Sequence, residues 1–187
     1  MSLIDLIKKY IPFNEQEAVD KEIIMNSLYK FDDILTRDNR IIHITSSAFV
    51  VNKNRDKTLM VHHNIYNSWC WTGGHADGEE DLLLVAINEA KEESGVNNIF
   101  PVNDTIYSLD ILPVFGHIKK GKYISSHLHI SVAYLIEADE NEPLIIKHDE
   151  NSAVQWIPMD EIDVYSNEPH MMIIYDKIIA KIKANCI

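Results

Sequence analysis

The feature that most constrains this chain is the run Gly74–Val96, GHADGEEDLLLVAINEAKEESGV. Gly73 and Gly74 close the short β-prone run Ser68–Thr72, and Gly95 stands where a helix C′ residue would, so residues 81–94 are bracketed as one helix. With Glu89 at zero on a helical wheel, Glu93 falls near 40° and Glu92 near −60°, so three carboxylates share a face. Leu83, Ile87 and Ala90 fall at about 100° to 160°, which predicts an apolar stripe facing a core and acids turned away from it. Leu82, Val85 and Ala86 lie above the acids on their own side. The first half of the helix is therefore expected to be covered all round, with the acids at the mouth of a pocket.

Carboxylates at i, i+3 and i+4 repel one another and destabilise a helix unless a cation offsets the repulsion. Lys91 is the basic residue near in sequence, and it points elsewhere. A ligand set made only of oxygens selects a hard cation such as Mg2+ or Mn2+.

Taken as positions, the run is Gly74, five residues, Glu80, seven residues, then Asn88-Glu89-Ala90-Lys91-Glu92-Glu93-Ser94-Gly95-Val96. This spacing resembles the signature of the Nudix hydrolases, enzymes that cleave nucleoside diphosphates linked to another group. From ordinary residue frequencies the fixed Gly and Glu positions coincide in on the order of one window in ten million. The resemblance covers about residues 40–165 and implies an α/β/α sandwich with a mixed β-sheet. It also implies that Glu89 and Glu93 are metal ligands, that Glu92 is a further ligand, that the Gly74 carbonyl joins them, and that Glu80 supports the array. The implied reaction is metal-assisted attack of water on phosphorus, with Glu89, Glu92 or the loop residue Glu150 taking the proton of that water. Two positions depart from the signature. Ala90 replaces an aliphatic residue, and Asn88 stands where the family has Arg, so it can donate hydrogen bonds to the acids but brings no charge.

The rest of the chain frames this segment. Residues 1–38 carry two helical apolar patterns, with Asn14 and Glu17 in the form of a helix cap, and are predicted to be an N-terminal helical extension that packs on the main domain or completes a homodimer. Residues 32–40 are polar and turn-like, and the domain itself is placed at 39–187. From Ile41 the periodicity is that of strands. A hairpin is expected around Asn54-Arg55-Asp56, and a second one from Thr105–Lys119 and Tyr123–Ala138, turning at Lys120-Gly121-Lys122. In the last strand His127, His129, Ser131 and Ala133 alternate with apolar residues, which predicts a sheet with one wet face.

Trp69, Trp71 and His129 are placed around the pocket as candidates for contacting substrate. His117, His127 and His129 lack the ligand spacing of a zinc module, so no zinc site is expected. A net charge of −12 argues against nucleic-acid grooves and anionic membranes as partners, because a phosphate backbone would meet net repulsion. Two cysteines, Cys70 and Cys186, are too few for a disulfide framework, which fits a reducing cytoplasm.

The expected function is Mg2+-dependent hydrolysis of a nucleotide substrate such as an ADP-ribose-like compound, a dinucleoside polyphosphate or a nucleotide sugar. Asn88 keeps open a nucleotide-binding module that does not cleave its ligand. An enzyme like isopentenyl diphosphate isomerase would need a cysteine where Gly73 stands, and Cys70 lies three residues too early.

Overall fold

The computed structural model describes residues 2–119 and 121–184. Cys186 and Lys120 of the expected turn lie outside them. Two N-terminal helices, α1 (Leu3–Lys9) and α2 (Glu15–Lys30), start on Ser2 and Asn14, whose side chains accept from the backbone N–H groups of Asp5 and Glu17. The strands that follow are β1 (Ile42–Val51), β2 (Lys57–His63), β3 (Ser68–Cys70) and β4 (Thr72–His75). Helix α3 (Leu82–Ser94) comes next, capped by the Asp81 carboxylate and ended by Gly95 in the left-handed region at φ 78°. Then come β5 (Ile99–Pro101), β6 (Ser108–Val114), β7 (His117–Lys119), β8 (Lys122–Ile124), β9 (His127–Ala138) and β10 (Asn151–Pro158). The chain closes with α4 (Ile162–Tyr165) and α5 (Pro169–Lys183), the latter with Pro169 in its first turn.

Eight strands form one mixed sheet in the order β10-β2-β1-β9-β5, with β3 against β2, β4 against β1 and β6 against β9. The β1–β9 pair is parallel and the others are antiparallel. All ten residues of β1 are buried, as befits a central strand covered on both faces. On one face, Ile44, Ala48 and Val50 of β1 pack with Leu82, Ala86 and Ala90 of α3 and with Ile7 and Ile24 of the N-terminal helices. On the other, Phe49, Val51, Ala133 and Leu135 pack under Ile174, Tyr175 and Ile178 of α5. The architecture is the expected α/β/α sandwich.

The expected wet face survives only at His127 and His129, which are partly exposed. Ser131 and Ala133 are buried, because α5 covers the row of small residues that alternation alone reads as solvent-facing. The long second hairpin is also divided. Strand β6 pairs directly with β9 from Ser108↔Ala133 to Val114↔His127, and the residues between them form a separate β7–β8 ribbon.

The N-terminal helices are tied down by buried charge. Glu17 accepts from Lys181 Nζ at 2.6 Å and from the Tyr10 hydroxyl at 2.6 Å, and pairs with Lys177 at 3.0 Å, while Lys177 also pairs with Asp110 of β6. Burial opposes the charge on Glu17, but Lys181, the Phe13 N–H and the Tyr10 hydroxyl outweigh it and hold its pKa below the usual carboxylate range. Among the described residues no helix is long and apolar enough to cross a membrane.

Candidate active site

The two glycines at the end of β4 decide how close α3 lies to the sheet. The Gly73 N–H donates to Glu93 Oε2 at 3.0 Å. A Cβ on Gly74 would sit 2.1 Å from Glu89 Oε1, so any side chain there would occupy the place of the Glu89 carboxylate. The sheet edge thus receives two acids at a place where it has no side chains of its own.

This shifts the helix face from the one the wheel predicts. The buried residues of α3 are Leu82, Val85, Ala86, Ala90, Glu93 and Ser94, so Glu93 lies within the buried face and not away from it, with only 4% of its surface exposed. Leu83 and Ile87, the predicted core stripe, are only partly buried. Periodicity sees an acid and assigns it to solvent, whereas bare glycine backbone leaves it room and a donor in the interior.

Glu150 reaches the same point from a loop. Gly95 leaves space for Ile145, whose Cβ would lie 2.6 Å from a Cβ at that position, and the Ile145 N–H donates to the Ser94 carbonyl at 2.8 Å. Asn151 Nδ2 donates to the Glu93 carbonyl at 2.9 Å, and the Asn64 N–H donates to the Glu150 carbonyl at 2.9 Å. The loop is therefore pinned to the end of α3 on both sides of Glu150. Carboxylate oxygens of Glu89, Glu93 and Glu150 all lie within 4.8 Å of one another.

Burial and this crowding raise the proton affinity of Glu89 and Glu93. Burial, opposed in part by the Gly73 N–H and reinforced by Glu89 and Glu150, pushes the Glu93 carboxyl up to about 8. Burial, with the charges of Glu150 and Glu92, also raises Glu89. An all-oxygen set whose members suppress one another's ionisation suits a hard divalent cation, which would remove that repulsion.

Glu92 stands apart, with its side chain 62% exposed, and accepts from Lys147 Nζ at 3.0 Å. Lys147 also pairs with Glu150 at 3.0 Å. Burial works against its charge, but Glu150 and Glu92 hold it more strongly and keep its pKa above the ordinary lysine value. Lys147 brings to the acids the positive charge that Asn88 lacks. Asn88 itself is exposed on α3, and Glu80 is exposed in the turn before it. Sequence reasoning missed Lys147 and Asn151, since nothing in an acidic loop signals which of its residues will dock.

Of the residues placed near substrate, Trp71 is a core side chain, 8% exposed, with its ring edge-on to Tyr175 at 5.6 Å. It offers no free ring face for stacking. Trp69 is partly buried between His62 and Tyr165. His129 lies on the face of the sheet opposite α3, since it pairs with His43, whereas Ser46 of β1 turns the other way and donates to the Leu82 carbonyl.

The model of the NUDIX domain family matches residues 42–181. Comparison with curated proteins finds no sequence match. Among solved structures the chain is similar to a Nudix hydrolase from M. smegmatis, RenU, with a TM-score of 0.56 at 12% identity over 76% of this chain and 86% of that one. It is similar to a NUDIX-family hydrolase from Clostridium perfringens, with a TM-score of 0.53 at 21% identity over 75% and 97%. A binary complex of a C. elegans Ap4A hydrolase gives a TM-score of 0.52 at 18% identity over 76% and 96%. At these identities the structural likeness establishes the fold.

Proposed function

The chain belongs to the NUDIX domain family, and on that premise we propose that it hydrolyses the pyrophosphate bond of a nucleoside diphosphate linked to another moiety, with Mg2+ or Mn2+ as cofactor. The observation that carries this reading is the convergence of Glu89, Glu93 and Glu150 within 4.8 Å of one another at the bare Gly73–Gly74 backbone. Glu89, Glu93 and the Gly74 carbonyl would hold the cation, with Glu92 at the rim. When bound, it supplies charge neutralisation at the diphosphate oxygens and a lowered pKa for the attacking water.

The chain's own residues do the rest. Glu150 is the general base, because its loop is docked beside the two buried acids while its carboxylate stays 41% exposed and can meet a water. Lys147, bonded to both Glu150 and Glu92, fixes these carboxylates in direction. The substrate class spans ADP-ribose-like compounds, dinucleoside polyphosphates and nucleotide sugars, and the solved Ap4A hydrolase among the similar structures is in keeping with it. Residues 1–38 act as a helical extension of a domain at 39–187, seated through Glu17 on Lys177 and Lys181.

The test is a screen of ADP-ribose, diadenosine tetraphosphate and a nucleotide sugar with Mg2+, read by phosphate-containing products, with and without chelator. Chelator-sensitive turnover of at least one is expected. Turnover that persists in chelator, or tight binding of one compound with no product, overturns the proposed hydrolysis.

A further inference from the structure

We propose that His43, His75 and His129 form a second metal site, selective for a borderline divalent transition ion of the Zn2+ class, with His127 as the fourth nitrogen. The site lies on the opposite face of the sheet from the carboxylates and does not depend on the hydrolase reading.

The cluster is assembled by strand register. His43 of β1 lies directly beside His129 of β9, and His75 of β4 pairs with Thr45, two residues along β1 on the same face. His127 follows on β9, one pleat before His129. Ring centroids lie 4.9 Å apart for His43 and His129, 5.1 Å for His43 and His75, 5.0 Å for His75 and His129, and 4.8 Å for His43 and His127. The ligand nitrogens of His43, His75 and His129 all fall within 4.8 Å of one another.

Two of the rings are oriented as metal ligands are. His43 Nδ1 is 2.8 Å from the Asn39 carbonyl and His127 Nδ1 is 2.8 Å from the Ser125 carbonyl. A carbonyl only accepts, so each Nδ1 carries the proton and each Nε2 keeps its lone pair, the arrangement in which a backbone acceptor sets the tautomer of a ligating histidine. His43 is 4% exposed, and its Nε2 has no hydrogen-bond partner. A buried acceptor without a partner costs about 1–3 kcal/mol, which an apolar residue at that position would avoid. The neighbouring Ser131 Oγ is likewise buried without a partner.

The spacing suits tetrahedral nitrogen coordination. Bonds of about 2.0–2.1 Å place neighbouring nitrogens about 3.3 Å apart. His129 Nε2 donates to His127 Nε2 at 3.2 Å, a spacing the two would keep around an ion once that proton moves to His129 Nδ1. The separations of up to 4.8 Å among His43, His75 and His129 need to close by at most about 1.5 Å, which small ring rotations supply. His75, His127 and His129 are partly exposed, so an ion has a route in.

Burial, reinforced by the other imidazoles, drives the His129 pKa down to about 2, and burial also lowers that of His43. Neutral rings are poor anion binders and ready ligands for a borderline cation, and imidazole nitrogens favour Zn2+ over Mg2+. The three ligands come from three strands distant in sequence, which is why no zinc-module spacing announces them.

The test titrates metal-stripped full-length protein with Co2+ in excess Mg2+, so that the carboxylates are already occupied. One equivalent of Co2+ should give the intense visible absorption of a tetrahedral nitrogen site and be displaced by Zn2+. His75→Gln and His43→Gln should each weaken Co2+ binding by about tenfold or more, with circular dichroism confirming that each variant is folded. His75→Gln, on the less buried ring, carries the test if His43→Gln fails to fold. Glu93→Gln should leave the signal in place. A weak octahedral spectrum, a signal unchanged in folded His75→Gln, or a signal lost in Glu93→Gln overturns the proposal.

Discussion

Replacing Glu93 by Gln separates the structural burden of the acidic site from its proposed use. Gln is close in shape to a protonated Glu and can still accept from the Gly73 N–H, which lies 3.0 Å from Glu93 Oε2. With the carboxyl raised from its ordinary 4.5 to about 8, folded and unfolded chains hold this proton differently. Below pH 4.5 both states are protonated and the group contributes nothing. Between 4.5 and 8 the unfolded chain has released the proton and the folded one keeps it, so native stability falls as pH rises, levelling off above 8. At 1.36 kcal/mol per pKa step the full penalty is roughly 5 kcal/mol. About 1.4 kcal/mol of it is present near pH 5.5, so the advantage of Glu93→Gln should grow by roughly 3 kcal/mol between pH 5.5 and pH 9.

Urea unfolding in chelator measures this directly. With an m-value of about 2 kcal/mol/M, the gap between the two midpoints should widen by roughly 1.5 M over that range. Adding Mg2+ should narrow the gap sharply at neutral pH. The wild type should gain about 2.7 kcal/mol at a hundredfold excess over its Kd, and the variant much less. A midpoint difference that does not change with pH, or equal stabilisation of both proteins by Mg2+, would refute the assignment of Glu93 as a buried, repelled metal ligand.

The other predictions follow from neighbouring contacts. Gly74→Ala should leave thermal stability nearly intact while weakening Mg2+ binding, measured by calorimetry, because the new Cβ would sit 2.1 Å from Glu89 Oε1 and displace that carboxylate. Lys147→Met, at a side chain 24% exposed, should change stability by less than about 1 kcal/mol. It should also lower the turnover of any substrate found in the screen, since Glu150 would lose the cation that holds its carboxylate in place. Glu17→Ala should cost about 3–5 kcal/mol in urea unfolding, because it leaves Lys177 and Lys181 buried without their shared carboxylate. A chelator should abolish turnover of any substrate found in the screen, and restored Mg2+ should return it.

The sequence by itself determined the helix at 81–94 to within one residue, the glycine that ends it, the family and the layered mixed sheet. Each of these rests on local spacing or on periodicity: a carboxylate every three or four residues, an αL glycine after the last turn, β-branched runs between polar turns. It also placed Glu89, Glu92 and Glu93 on adjacent turns. Tertiary structure alone decided which of these acids is buried. The bare backbone of Gly73 and Gly74 admits Glu93 and Glu89, while Lys147 draws Glu92 out to the rim. It likewise brought Glu150 into the cluster through Asn151 and Ile145, put Trp71 in the core, dried the β9 face under α5, and gathered His43, His75 and His129 from three strands. Periodicity records which residues share a face of one element. What lies against that face, and whether a charge there meets water, a lysine or another acid, is fixed only when distant segments pack together.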